Sequence, residues 1–157
     1  MLKPAILYRD EIIRGIREHF YTDDMLYVSG NIDNWTPDIA DCPIEGLYQW
    51  AIVNNDGKLV GYLGYRIDFY ASKAYNFGLY SFDRGNPLIG KDLFEKLEEI
   101  VHSYHRVEWR AVSGNPACRG YDAFIKKHNG KCHALKDAIR DTHGNYHDHL
   151  IYEIIKG

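Results

Sequence analysis

The chain has few cysteines, no long apolar run and no surplus of positive charge, and each shortage removes a class of function. Its three cysteines, Cys42, Cys118 and Cys132, are an odd set without C-x-x-C spacing. They fit a reducing compartment and supply neither a disulfide framework nor a zinc knuckle. No segment approaches membrane-spanning length, and the amino end turns polar too soon for a secretory signal, so a cytoplasmic location and no membrane partner are expected. A net charge of −3 gives no general attraction to nucleic acid, and no nucleic-acid partner is expected. Between Tyr21 and Gly57 there is no Lys or Arg at all, while Asp23, Asp24, Asp33, Asp38, Asp41, Glu45 and Asp56 lie there.

What the chain does have is aromatic side chains, 14% of residues with 13 Tyr, within 157 residues that suit one domain over residues 1–157. It also has the tripeptide Gly-Asn-Pro twice, at Gly85-Asn86-Pro87 and Gly114-Asn115-Pro116. Each follows a strand-like run and precedes a helix-like one. Asn is a preferred N-cap and Pro suits the first helical position, so both read as strand-to-helix junctions. Outward-pointing backbone N–H groups at such a junction can bind phosphate.

The hydrophobic periodicity predicts a short first strand over Ala5–Tyr8 and a helix capped by Asp10 with Ile12, Ile13, Ile16 and Phe20 on one stripe. Met25–Glu45 reads as irregular. Tyr48–Val53 and Leu59–Tyr70 form a hairpin whose Asp56-Gly57 supplies the positive φ angles of the turn, and Tyr75–Phe82 adds a third strand. An amphipathic helix covers Ile89–Tyr104, a strand Arg106–Val112, a helix Pro116–His128, and an antiparallel pair Lys131–Ile139 with Tyr146–Ile155.

This order resembles the GNAT superfamily of acyl-CoA-dependent N-acyltransferases, well over Leu47–Ile155 and only by length and position before it. Asp56-Gly57-Lys58-Leu59-Val60-Gly61-Tyr62 resembles the family's central hairpin, Gly90-Lys91-Asp92-Leu93 the start of its cofactor helix, and Asn115-Pro116-Ala117-Cys118-Arg119-Gly120-Tyr121 its Asn-x-x-Ala-type segment. Asp148–Tyr152 looks like its last strand. The family's phosphate loop, Arg/Gln-x-x-Gly-x-Gly/Ala, falls here on Gly85, Leu88 and Gly90, and only the last agrees. The resemblance implies an α+β fold with a mostly antiparallel, mixed central sheet flanked by helices on both faces. It implies an N-acetyltransferase moving an acetyl group from acetyl-CoA to a primary amine by direct attack in a ternary complex. The alternative is a catalytically weakened CoA-binding or interaction module on the same fold. In either case a monomer or homodimer is expected.

On that resemblance the cofactor arm would lie along the strand ending Ser81-Phe82-Asp83, its diphosphate on Leu88, Ile89, Gly90 and Lys91, with Asn115 orienting it or a bridging water. As an N-cap, Asn115 needs no other purpose. Tyr121 would protonate the leaving thiolate, or is a core tyrosine against the sheet. Glu108, a carboxylate in an apolar strand, would act as base if burial raised its pKa, or it pairs with Arg106 or Arg110. Trp35 and Tyr48, within the acidic stretch, would line the acceptor side for a cationic amine, or belong to a solvated loop. His143, His147 and His149 read as a turn, with no metal site.

Overall fold

The computed structural model describes residues 1–19 and 38–157, and Phe20, Trp35 and the Asp23, Asp24 and Asp33 of the acidic stretch lie outside them. Strand β1 (Leu2–Pro4) leads through a 3-10 turn (Ala5–Tyr8) into α1 (Arg9–His19). Then come β2 (Leu47–Val53), β3 (Leu59–Asp68), β4 (Lys73–Ser81), α2 (Pro87–Ser103), β5 (Arg106–Val112), α3 (Cys118–Lys127), β6 (Lys131–Arg140) and β7 (Tyr146–Ile155). The strands form one sheet in the order β1-β2-β3-β4-β5-β7-β6. Every pairing is antiparallel except β4 with β5.

Alternation along the strands sorts the side chains onto two faces. Ile52, Leu63, Tyr65, Phe77, Val107, Trp109, Tyr152 and Ile154 point to one, where they bury against Leu93, Leu97 and Ile100 of α2 and Tyr121, Phe124 and Ile125 of α3. Ala51, Val53, Tyr62 and Tyr80 point to the other and bury against Ile12 and Ile16 of α1. Helices therefore cover both faces, as the α+β reading expects. Ile12 and Ile16 are one helical turn apart, and the acidic Asp10 and Glu11 occupy the first turn, where the helix dipole favours them. Gly15 lets the sheet come close: a Cβ there would lie 2.8 Å from a carbon of the Phe82 ring.

Two local expectations shift. The first strand is Leu2–Pro4, and Ala5–Tyr8 instead makes the 3-10 turn that carries the chain from the sheet edge over to α1. In the β2–β3 turn only Gly57 has positive φ. Asn54 does the remaining work, its side-chain oxygen accepting from the N–H groups of Asp56 and Lys58.

The irregularity with the largest consequence is in β4. Register runs from Gly64↔Gly78 to Arg66↔Tyr75, so three steps on β4 match two on β3. The extra residue is accommodated by Asn76 at φ 55°, a conformation that Asn tolerates far better than a branched side chain. Such a bulge bends its strand and increases the local twist. Replacing Asn76 with Val should cost about 1–3 kcal/mol in urea unfolding, whereas Asn76→Gly should be neutral or mildly stabilising. Equal destabilisation by both would show that the backbone conformation is not what matters there.

Candidate functional site

The bend in β4 opens the sheet. β4 and β5 pair only at Lys73↔Arg106 and Ala74↔Val107. Beyond them Tyr75–Ser81 and Glu108–Val112 run on without pairing to each other, leaving a gap in the middle of the sheet. Parallel strands point the same way, so both leave the open end of this gap through a Gly-Asn-Pro junction. The two repeated tripeptides thus flank one mouth.

At the first junction, Asn86 caps α2 as the sequence suggests: its side chain accepts from Leu88 N–H at 3.0 Å and Pro87 occupies the first turn. Asn86 N–H donates to Asp83 C=O at 3.1 Å and its Nδ2 to Asp83 Oδ2 at 3.0 Å. This corrects the expected row of four outward amides. Leu88 N–H is held by the cap, Ile89 N–H reaches Asn86 C=O at 3.3 Å, and the Gly90 and Lys91 amides fall within the helix ladder. An incoming anion at Leu88 would therefore have to displace the Asn86 side chain. Space for it exists, because a Cβ added at Gly85 or Gly90 would meet nothing within 4 Å. Lys91 is exposed and near Glu95 at 4.0 Å. Phe82 is corrected too. Its N–H donates to Val60 C=O on β3 and its ring turns under α1, so it faces away from the gap. By alternation the exposed Ser81 directs its backbone groups to the gap side.

At the second junction the helix begins later than expected, at Cys118. Asn115 builds the turn before it: its side chain accepts from Ala117 N–H at 2.9 Å and its carbonyl from Cys118 N–H at 2.9 Å. Ser113, which enters this junction from β5, is clamped by the β6–β7 hairpin. Ser113 N–H donates to Asp148 C=O at 2.9 Å, and Ser113 Oγ accepts from Asp148 N–H at 2.8 Å. His147 adds Nδ1 to Ser113 C=O at 3.2 Å and Nε2 to Asp141 Oδ2 at 2.8 Å. Both acceptors are oxygens, so the ring satisfies both contacts only as the imidazolium. Accordingly the hydrogen bond to Asp141 raises the His147 pKa, and the hydrogen bond from His147, helped by the Asn145 amide, holds Asp141 down at about 2. The turn histidine is thus an anchor for the junction.

Tyr121 is 1% exposed, its ring 5.6 Å from Trp109, 5.3 Å from Tyr152 and 5.9 Å from Phe94. It lies over β5 and β7, within the core. Glu108 is not the isolated buried carboxylate that base chemistry requires. Arg106 holds it through Nε at 3.0 Å and Nη2 at 2.8 Å, and the same guanidinium bridges to Glu153 at 2.8 Å. Tyr48 stacks on Tyr65 at 5.4 Å, on the α2 face of the sheet and towards the closed end of the β4–β5 gap, so the structure does not bring it to the mouth. Among the described residues no group of three or more His, Cys, Asp or Glu is arranged to hold a metal ion, and no helix is long and apolar enough to cross a membrane.

Sequence reasoning passed over Asn76, whose residue type, set in a strand-like run, was the available signal for a bulge. It also passed over Trp109, which reads simply as a core position in an alternating strand.

A GCN5-related N-acetyltransferase from Kribbella flavida superposes with a TM-score of 0.68 at 15% identity, covering 99% of this chain and 97% of that one. The ribosomal-protein-S18-alanine N-acetyltransferase from Escherichia coli superposes at 0.56 and 16% identity, over 72% and 71% of the two chains. A ribosomal L7/L12 alpha-N-protein acetyltransferase in complex with coenzyme A does so at 0.51 and 17% identity, over 69% and 62%. For one neighbour, a probable acetyltransferase with a TM-score of 0.52, the chain spans 63% of that protein's length. No family sequence model matches the chain, and no curated protein matches it. The chain has the GNAT fold.

The junction clamp is pH-dependent in a defined sense. Because the His147 pKa is raised, its contribution is full below the ordinary histidine value of about 6.5 and is lost as pH rises through the folded value. Because the Asp141 pKa is lowered, its contribution is present above about 4 and is lost as pH falls towards about 2. After correction for intrinsic exchange, Asp148 N–H should be better protected at pH 5.5 than at pH 9. In His147→Gln that difference should vanish. A wild-type protection factor independent of pH would contradict the clamp.

Proposed function

We propose that this chain transfers an acetyl group from acetyl-CoA to a primary amine, and that the gap between β4 and β5 receives the donor. The carrying observation is the loss of β4–β5 pairing after two residue pairs, with both Gly-Asn-Pro junctions at the open end. A pantetheine arm is a chain of amides, and two separated strand edges offer it backbone donors and acceptors that a closed sheet would not. The fold shared with N-acetyltransferases, one of them in complex with coenzyme A, supports the same reading.

The residues present fit such a donor. The mouth is unobstructed above Gly85 and Gly90, and Lys91 adds a positive charge there. Ser81 offers gap-facing backbone, and Asp83 and Asn115 shape the two turns that bound the mouth. Leu88 and Ile89 present the first amides of α2, released when Asn86 yields its cap. When bound, the thioester supplies an activated acyl group and a thiolate leaving group. The chain's own part is to hold the arm in one line, exclude water from the core side and deliver a proton. Tyr121 is the proposed donor of that proton, since α3 sets its phenol ring against Trp109 of β5, the strand that borders the gap. Glu108 reads in sequence either as base or as a partner of Arg106 or Arg110. Its ion pair with Arg106 favours a structural role, and proton loss from the amine to water serves instead. The acceptor is proposed to be cationic, approaching from the α1 face, where Asp38 flanks the buried Ile39, in a cytoplasmic protein.

The core position of Tyr121 and the pairing of Glu108 also favour a second reading, a CoA-binding module with weakened catalysis. Acetyl-CoA at a hundred times its dissociation constant should raise Tm by roughly 5–10 °C. Free thiol should then appear with an amine panel, and Tyr121→Phe should lower kcat on the order of a hundredfold with donor binding retained. Glu108→Gln should leave turnover within about twofold, as loss of a partly exposed ion pair would. A Tm shift without thiol release supports the second reading, and no shift contradicts both.

A further inference from the structure

Among the described residues, Trp109 carries a buried indole N–H with no hydrogen-bond partner. The residue is 3% exposed, so water does not satisfy that donor from the surface. Its place is informative. Val107 makes the last β5 pair with β4, and Trp109 is the next residue on the same face, at the point where the strands have parted. On the far side Tyr152 of β7 stacks against the indole at 5.4 Å and 10°, and Tyr121 and Phe124 of α3 lie 5.6 and 6.1 Å away. Those directions are occupied by aromatic rings. The gap borders β5 at this residue.

A shut-in donor costs stability that a phenylalanine at the same place would not. A strand position surrounded by Tyr121, Phe124 and Tyr152 has no packing need for an N–H group. We propose that the Trp109 indole N–H is a donor-binding group, hydrogen-bonding a carbonyl oxygen of the acyl-pantetheine arm as it lies between β4 and β5. This rests on the reading that the gap takes acyl-CoA, and it adds a side-chain contact on the α2–α3 face to the backbone contacts of the strands. Position 109 then helps to fix how deep the arm enters, and so where the thioester stops relative to Tyr121.

The test is the indole N–H resonance in the 15N-tryptophan-labelled protein, assigned by its loss in Trp109→Phe, recorded with and without coenzyme A and acetyl-CoA. The expected result is a downfield shift and slower solvent exchange for Trp109 on ligand addition. Trp109→Phe should weaken donor binding about two- to tenfold, the value of one neutral hydrogen bond, with kcat at saturating donor changed less. If the backbone amides of Leu88–Lys91 move on titration while the Trp109 indole does not, this inference is overturned and the acyl-CoA reading stands. If no resonance moves with either ligand, both fall. The wild-type spectrum decides the matter even if Trp109→Phe folds poorly, the assignment then coming from through-space contacts to the Tyr152 and Tyr121 rings.

Discussion

One extra residue in β4 governs the rest. A sheet in which β4 and β5 stayed paired would satisfy its own backbone and leave no room for a ligand. The bulge at Asn76 bends β4 away after Ala74, and each strand is left with a polar edge facing a gap. Edges of that kind are normally covered or paired, because exposed N–H and C=O groups invite association. Here they lie inside the sheet, whose one face carries α2 and α3 and whose other face carries α1 over β2, β3 and β4. The open end is where both crossover junctions emerge, so a single local event sets the ligand path and the positions of the loops around it.

The two junctions look alike in sequence and are held differently. The first is self-contained, with Asn86 capping α2 and tied back to Asp83 within four residues. The second depends on a distant hairpin: Ser113 is fixed by Asp148 and by the His147–Asp141 pair, and only then does the chain turn through Asn115 into α3. Charge on one imidazole therefore reaches the mouth of the gap through three hydrogen bonds. The Arg106, Glu108 and Glu153 group plays a comparable role at the closed end, tying β5 to β7 where the sheet must stay intact.

Much of this was legible in the residues. Period-two alternation located β2, β3 and β5, and helical spacing located α2 within two residues at its N-terminal end. The Gly-Asn-Pro repeat marked both junctions. Its second copy was misplaced as an N-cap because Asn–Pro also starts a tight turn, and only the Ser113 clamp and the Cys118 start distinguish the two. The amides of Gly90 and Lys91 were misjudged because a helix consumes its own fourth amide, which depends on where the cap falls by a single residue. Glu108 reads in sequence as base or as partner of Arg106 on its own strand, and the structure has the pairing; Glu153 on β7 and Tyr65 on β3, which complete the surroundings of Arg106 and Tyr48, are set by pairing across strands. The unpartnered indole of Trp109 could not be read at all, since it is defined by what three other elements fail to supply.

The account stands or falls on the gap as the donor's seat, and a crystal structure of the coenzyme A complex addresses that most directly. It should show the pantetheine arm between Tyr75–Ser81 and Glu108–Val112, with the diphosphate at the start of α2. Coenzyme A bound on an outer surface, with the two strands unchanged and nothing between them, would contradict it.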